Sequence, residues 1–261
     1  MTTMAFTARD SATMTRRSLR HAVRYPVTMI VSVGVPVLLL LLFVGVFGGA
    51  LKAGLGAASH GAYVNYILPG IVVMTAAYGS SVTALAVNRD STEGIIGRFR
   101  TMAISPASVL SGYVASALVR TLTSMALVIG VAIGLGFRPA ASTGQWLAAV
   151  GVTVLLVLAL TWLAVAVGLA AKTAEGTSGF TLLVQLLPFI SSAFVAPDQM
   201  SESVRWFAAN EPFTPVIDAL RELLAGMPDG GTTLVAVAWC AGLALAGFLW
   251  GRALFRRDLS R

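Results

Sequence analysis

Apolar residues fall in long blocks along this chain, not in the short alternations of a soluble fold. Six uncharged or nearly uncharged runs stand out: Val27–Gly49, Val64–Val87, Val109–Gly136, Trp146–Ala171, Thr177–Ala196 and Thr232–Gly251. Each meets the need for about 20 apolar residues to carry a helix across a hydrocarbon core about 30 Å thick. The pattern predicts an all-α integral membrane fold with six transmembrane helices. Pro36, Pro69 and Pro188 lie inside the first, second and fifth runs. Each removes a helical hydrogen bond and bends its helix, a device that serves either gating or packing. Gly130-x-x-x-Gly134 and Gly247-x-x-x-Gly251 permit close helix approach, a weak signal in a chain with 26 glycines.

Three stretches depart from this pattern. The arm over residues 1–26 is polar and basic, with Arg16, Arg20 and Arg24 at helical spacing, as in an interfacial helix on an anionic leaflet. It is not a cleavable signal, because the apolar run behind it is too long. The second stretch, Asn88–Pro106, reads NRDSTEGIIGRFRTMAISP and carries Arg89, Asp90, Glu93, Arg98 and Arg100 between two spans. So charged a segment must sit in water at a membrane face. Ile95, Ile96, Phe99, Met102 and Ala103 recur at spacings of three and four, predicting a short amphipathic helix that Ser105-Pro106 stops. It is either a handle for a soluble partner or a loop helix anchored at the lipid interface.

The third stretch is the segment over residues 197–231. Phe213, Val216, Ile217, Leu220, Leu223 and Leu224 form a helical stripe opposite Asp218, Arg221 and Glu222. The spacing predicts an amphipathic helix capped by Thr214, with Pro215 at its first position and Gly226 at its end. It lies at or dips into the outer leaflet, as a lid over an exit route or as a cap on the spans. Residues 27–261 thus read as one six-span domain behind the arm.

Composition sharpens the class. Of 261 residues, 57% are hydrophobic and 11% charged, with mean hydropathy +0.84; a soluble domain carries about a quarter charged residues. The net charge of +7 has no continuous basic patch with interleaved aromatics, so nucleic acid is not the partner. Its distribution gives orientation instead. With six spans and the N-terminus inside, Arg9, Arg16, Arg17, Arg20, Arg24, Arg89, Arg98, Arg100, Lys172, Arg252, Arg256, Arg257 and Arg261 are cytoplasmic. Lys52, Arg138, Arg205 and Arg221 are outside, so both termini and the Asn88–Pro106 segment face the cytosol. Arg120 falls within the third run, where a central arginine costs about 2.5–3.5 kcal/mol; it snorkels or pairs near the inner face. Cys240 sits alone in an apolar run, as a packing residue.

The chemistry of an engine is missing. No G-x-x-x-x-G-K-[ST] phosphate loop occurs; Lys172-Thr173 follows Ala170-Ala171 where glycine is required. His21 and His60 lie near no cluster with metal-ligand spacing. Gly79-Ser80-Ser81 has no histidine or lysine at membrane depth to activate a serine. No Asp or Glu lies inside a span, which removes the usual titrating group of a proton-coupled carrier. Aromatic and sparse polar side chains, Tyr66, Tyr78, Gln185 and Phe189, are the candidates for a substrate path, against a packing role for each.

Glu93-Gly94, Arg98-Phe99-Arg100 and Ser105-Pro106, followed by Glu211-Pro212, Thr214-Pro215 and Asp218-Ala219-Leu220-Arg221, resemble the permease subunits of ABC-2 type exporters. The group most similar is the actinobacterial antibiotic- and daunorubicin-resistance type, and the likeness covers nearly the whole chain. Glu211 stands where the family has an amide before proline, and Ala196 where it often has proline. The resemblance implies a permease dimer, homodimeric or heterodimeric, on two copies of a cytoplasmic ATPase that carries the ATP and Mg. No cofactor is expected in this chain, which is then not itself an enzyme. It implies a coupling helix over about 88–106, with Asp90, Glu93, Gly94, Arg98, Phe99, Arg100 and Pro106 at the ATPase contact. Phe213, Asp218, Leu220 and Arg221 become outer gate candidates. The cargo would be a hydrophobic or amphipathic drug, antibiotic or lipid, moved out across the plasma membrane. The alternative is a membrane scaffold or channel-like assembly protein that pumps nothing.

Overall fold

The computed structural model describes residues 26–47, 60–94, 106–195 and 200–257, and among them every regular element is helical. In chain order these are α1 (Pro26–Leu42, continued by a π-helical turn over Phe43–Phe47), α2 (His60–Thr92), α3 (Pro106–Gly134) and α4 (Thr143–Ala170). They are followed by α5 (Ala174–Ile190), α6 (Glu202–Asn210), α7 (Phe213–Ala225) and α8 (Gly230–Arg257). Four of them, α2, α3, α4 and α8, are long and apolar enough to cross a membrane.

α2 is the axis of the bundle, packed by α1, α3, α4, α5 and α7. In its most apolar stretch 78% of the residues are buried, against 22% in α8. A helix shielded from lipid can carry hydroxyls, provided that each is satisfied. Thr75, Ser80, Ser81 and Thr83 do this by donating back to Ile71, Ala77, Ala77 and Gly79 carbonyl oxygens at 2.7–3.0 Å. Small residues then set the helix spacing. A Cβ on Gly168 of α4 would lie 2.6 Å from the Ala84 carbonyl oxygen of α2. A Cβ on Gly247 of α8 would lie 2.6 Å from the Leu163 nitrogen of α4. The Gly247/Gly251 pair is therefore used as the spacing suggested, with Trp162 and Phe248 edge-to-face beside it at 5.0 Å. Gly130 and Gly134 meet nothing within 4 Å among the described residues.

Several boundaries differ from the sequence reading. α2 runs on to Thr92, so 88–92 of the charged stretch belong to its last turn. Pro106 is the first residue of α3, where its missing N–H has no helical partner to lose. The fifth run stops at Ile190 instead of Ala196. Pro188 lacks an N–H there, and Ser191 caps the release by donating its hydroxyl to the Pro188 carbonyl at 2.6 Å. α6 was not expected at all. The predicted amphipathic helix exists as α7, but its cap is not Thr214. Pro212 occupies the N-cap position, and the Glu211 carboxylate accepts the Phe213 and Thr214 N–H groups at 3.0 and 2.6 Å. Gly226 ends it in the left-handed conformation, φ 79°, as expected. The helix does not lie on the bundle by one face. It packs against α2, α4 and α8, and Asp218 and Arg221 are half-buried.

Candidate functional site

Two polar clusters sit at opposite ends of α2. At the Asp90 end, Asn88 donates its amide to the carbonyl oxygens of Gly168 (3.3 Å) and Ala171 (2.6 Å), satisfying the last turn of α4. Two residues on, Asp90 accepts a hydrogen bond from the Tyr113 hydroxyl of α3. Glu93 pairs with Arg89 at 2.8 Å on the exposed surface, and Gly94 ends the helix at φ 72°. Of the residues expected at a partner contact, Asp90, Glu93, Gly94 and Pro106 therefore gather where α2 stops and α3 starts. Arg98, Phe99 and Arg100, and the amphipathic helix expected over them, lie outside the described residues.

At the Tyr66 end the cluster is denser. Arg221 of α7 binds Asp218 through Nη1 at 2.7 Å and the Ser192 carbonyl oxygen through Nη2 at 2.8 Å. Its guanidinium lies over the Tyr66 ring, 4.2 Å from the centroid, and Nε reaches the Tyr66 carbonyl oxygen at 3.4 Å. Ser192 donates its hydroxyl to Asp218 at 2.8 Å, and its own N–H goes to the Thr214 hydroxyl at 3.1 Å. One side chain thus ties α2, the end of α5 and α7 together. Behind it, Glu211 is buried, and burial lifts its carboxyl above the ordinary range. The N–H groups of Phe213 and Thr214 and the Thr214 hydroxyl pull the other way, while nearby Asp218 raises it further.

The structure thus joins Tyr66, expected on a substrate path, to Asp218 and Arg221, expected at an outer gate. Phe213 and Leu220 are fully buried in the core beneath them. Phe189 is exposed and stacks on Phe194 (5.3 Å between ring centroids), which stacks in turn on Phe43 (4.3 Å). Gln185 lies one turn before it on α5, half-buried. Tyr78 is apart from these, half-buried about 18 Å further along α2 at 1.5 Å per residue. Ser192 and Asn88 were not singled out from sequence as site residues. For Asn88 the signal was present, a polar residue at the edge of an apolar run where a helix end leaves carbonyls to satisfy; Ser192 lay inside the run Thr177–Ala196 and gave none.

Arg120 is at the middle of α3, not near an end. Its Nη2 donates to the Gly79 carbonyl oxygen (3.1 Å) and the Thr83 hydroxyl oxygen (2.8 Å) of α2.

A buried helical axis packed among helices long and apolar enough to cross a membrane defines a multi-pass membrane protein. Residues 10–225 match the family model described as ABC-2 type transporter, and the chain belongs to that family. It is 30% identical over 241 residues to the daunorubicin resistance ABC transporter permease protein DrrB1 of Streptomyces coeruleorubidus, covering 90% of this chain and 80% of that one. It is 24% identical over 231 residues to the protein named "Probable doxorubicin resistance ABC transporter permease protein DrrC" of Mycobacterium tuberculosis, covering 88% and 82%. The chain is thus a membrane-spanning permease subunit of an ABC transporter.

Proposed function

We propose that this permease exports a hydrophobic or amphipathic molecule, driven by ATP that a separate cytoplasmic ATPase hydrolyses. The observation that carries the reading is α2. It is one helix of 33 residues, held by α1, α3, α4, α5 and α7, with charged groups at one end and the Arg221 cluster at the other. Tyr66 and Asp90 are about 36 Å apart along it at 1.5 Å per residue. A push delivered beside Asp90 and Glu93 would reach the Tyr66–Arg221–Asp218 contact along one continuous helix, whose hydrogen-bond ladder Pro69 interrupts one turn short of Tyr66. In this reading the chain crosses the membrane six times with both termini cytoplasmic, α1 and α5 supplying the two shorter crossings. The segment 88–106 docks on the ATPase, two copies of which serve a pair of permeases, and residues 27–261 act as one domain behind the basic arm. The two relatives are named for daunorubicin and doxorubicin resistance, which supports an amphipathic drug or antibiotic as cargo.

The test is reconstitution of the permease with its ATPase partner in liposomes. Phe99→Ala and Glu93→Arg should each abolish stimulation of ATP hydrolysis while leaving the permease folded in detergent, because the first removes the aromatic anchor of such a contact and the second reverses a charge at it. Unchanged stimulation would remove 88–106 as the docking segment. A permease that never alters the hydrolysis rate would instead be a scaffold.

A further inference from the structure

Among the described residues, two side-chain polar atoms are buried without any hydrogen-bond partner, Arg120 Nε and Thr121 Oγ1. They belong to consecutive residues whose side chains both reach the Gly79 turn of α2. Arg120 reaches the Gly79 carbonyl, and the Thr121 side chain fills the space where a Cβ on Gly79 would stand. A guanidinium offers five N–H donors, yet only Nη2 is engaged, and only by neutral acceptors. One of those acceptors is already in use, because the Gly79 oxygen also takes the Thr83 hydroxyl at 2.9 Å. The eight carboxylates on described residues are elsewhere. Asp90, Glu93 and Glu175 sit at the other ends of helices, and Glu202, Glu211, Asp218, Glu222 and Asp229 gather around α6, α7 and the start of α8. A cation at the centre of a spanning helix, met only by dipoles, lacks the charge that normally accompanies it.

We propose that Arg120 and Thr121, at the α2–α3 seam beside Gly79, form a binding site for an anionic oxygen group, a carboxylate or phosphate, on an amphipathic molecule. The group accepts Arg120 Nε–H and the Thr121 hydroxyl together, which neutral carbonyls of the bundle do not. The site deepens the export reading, since it names the head group of the cargo, and rests on that reading only for calling the occupant cargo. The same chemistry comes from two sources: a transported acid or the phosphate of a membrane lipid.

The experiment uses the full-length permease in phosphatidylcholine nanodiscs and a fluorescent long-chain fatty acid beside its methyl ester. The acid should bind about tenfold more tightly than the ester, the discrimination a charge-assisted hydrogen bond gives. Arg120→Gln should erase the difference, Arg120→Lys should keep most of it, and Thr121→Val should reduce it. Competition by added phosphatidylglycerol would identify a lipid head group as occupant; its absence would identify a free acid. Equal binding of acid and ester by the unaltered protein, a comparison that needs no variant to fold, would overturn the proposal and leave Arg120 as a water-satisfied clamp between α2 and α3. The measurement contains no ATPase, so its failure is separable from a failure of ATP-driven export.

Discussion

Glu211 illustrates how one buried carboxylate can set the position of a whole helix. It stands before Pro212 and accepts three hydrogen bonds from the first residues of α7, while Thr214 links that turn to Ser192. The sequence offers Thr214 as the cap, but the longer Glu211 side chain reaches across Pro212 to the first N–H groups of the helix instead. Its raised pKa has a definite sign. The fold favours the proton-bound form more than the unfolded chain does, so this stabilisation is complete below the ordinary 4.5 and is lost as pH rises through the elevated value. The thermal stability of the detergent-solubilised permease should therefore fall as pH rises from about 4.5 through the elevated value and level off above it. Glu211→Gln, which keeps an acceptor for Thr214 but no titrating proton, should flatten the curve; parallel curves for the two proteins would exonerate Glu211.

Helices meet in this chain where side chains are absent. At Gly247 the Cβ of an alanine would press on the Leu163 nitrogen and the Trp162 carbonyl carbon at 2.6 and 2.8 Å, and backbone cannot yield as a flexible side chain would. Gly247→Ala should lower the stability of the α4–α8 seam by about 1–3 kcal/mol. Gly251→Ala, whose new methyl would sit at ordinary contact distance from Ala166 (3.8 Å), should be close to neutral. Unfolding midpoints of the two variants in one detergent check the contrast. The i, i+4 spacing announced this contact but equally announced Gly130 and Gly134, which touch nothing in the described chain. Periodicity marks which glycines share a face, not which helix arrives there. The apolar runs gave helix existence and approximate ends for the same reason: length and hydropathy are local. The early stop of α5 was only partly legible: Pro188 and Ser191 stand in the sequence, but the Ser192 main chain beyond them is held by Thr214 and Arg221 more than twenty residues away. The stripe on α7 was read correctly, yet its polar side turned out to have partners of its own in Tyr66 and Ser192.

At the scale of the whole molecule, charge placement and helix packing make one joint statement about topology. The residues that open α4 and close α7 lie at the Tyr66 end, whereas Lys172 lies at the Asp90 end, one 28-residue helix away. In a Cys240→Ser background, a membrane-impermeant maleimide added to intact cells should label Thr143→Cys and Met227→Cys, both exposed positions, and spare Lys172→Cys. The reverse pattern would invert the orientation drawn from the arginines and lysines.

Asn65 holds the α3–α4 connection by two bonds, from its amide to the Arg138 carbonyl oxygen (3.1 Å) and from the Arg138 N–H to its side-chain oxygen (3.0 Å). Ala140 adds a third through its N–H to the Leu224 carbonyl oxygen at 3.1 Å. All three grip main chain, so the anchoring ignores what Arg138 and Ala140 themselves carry. This hairpin bend can change its surface chemistry freely while keeping its seat, which makes it the natural place for the chain to diversify what it presents, and for an experimenter to graft an epitope.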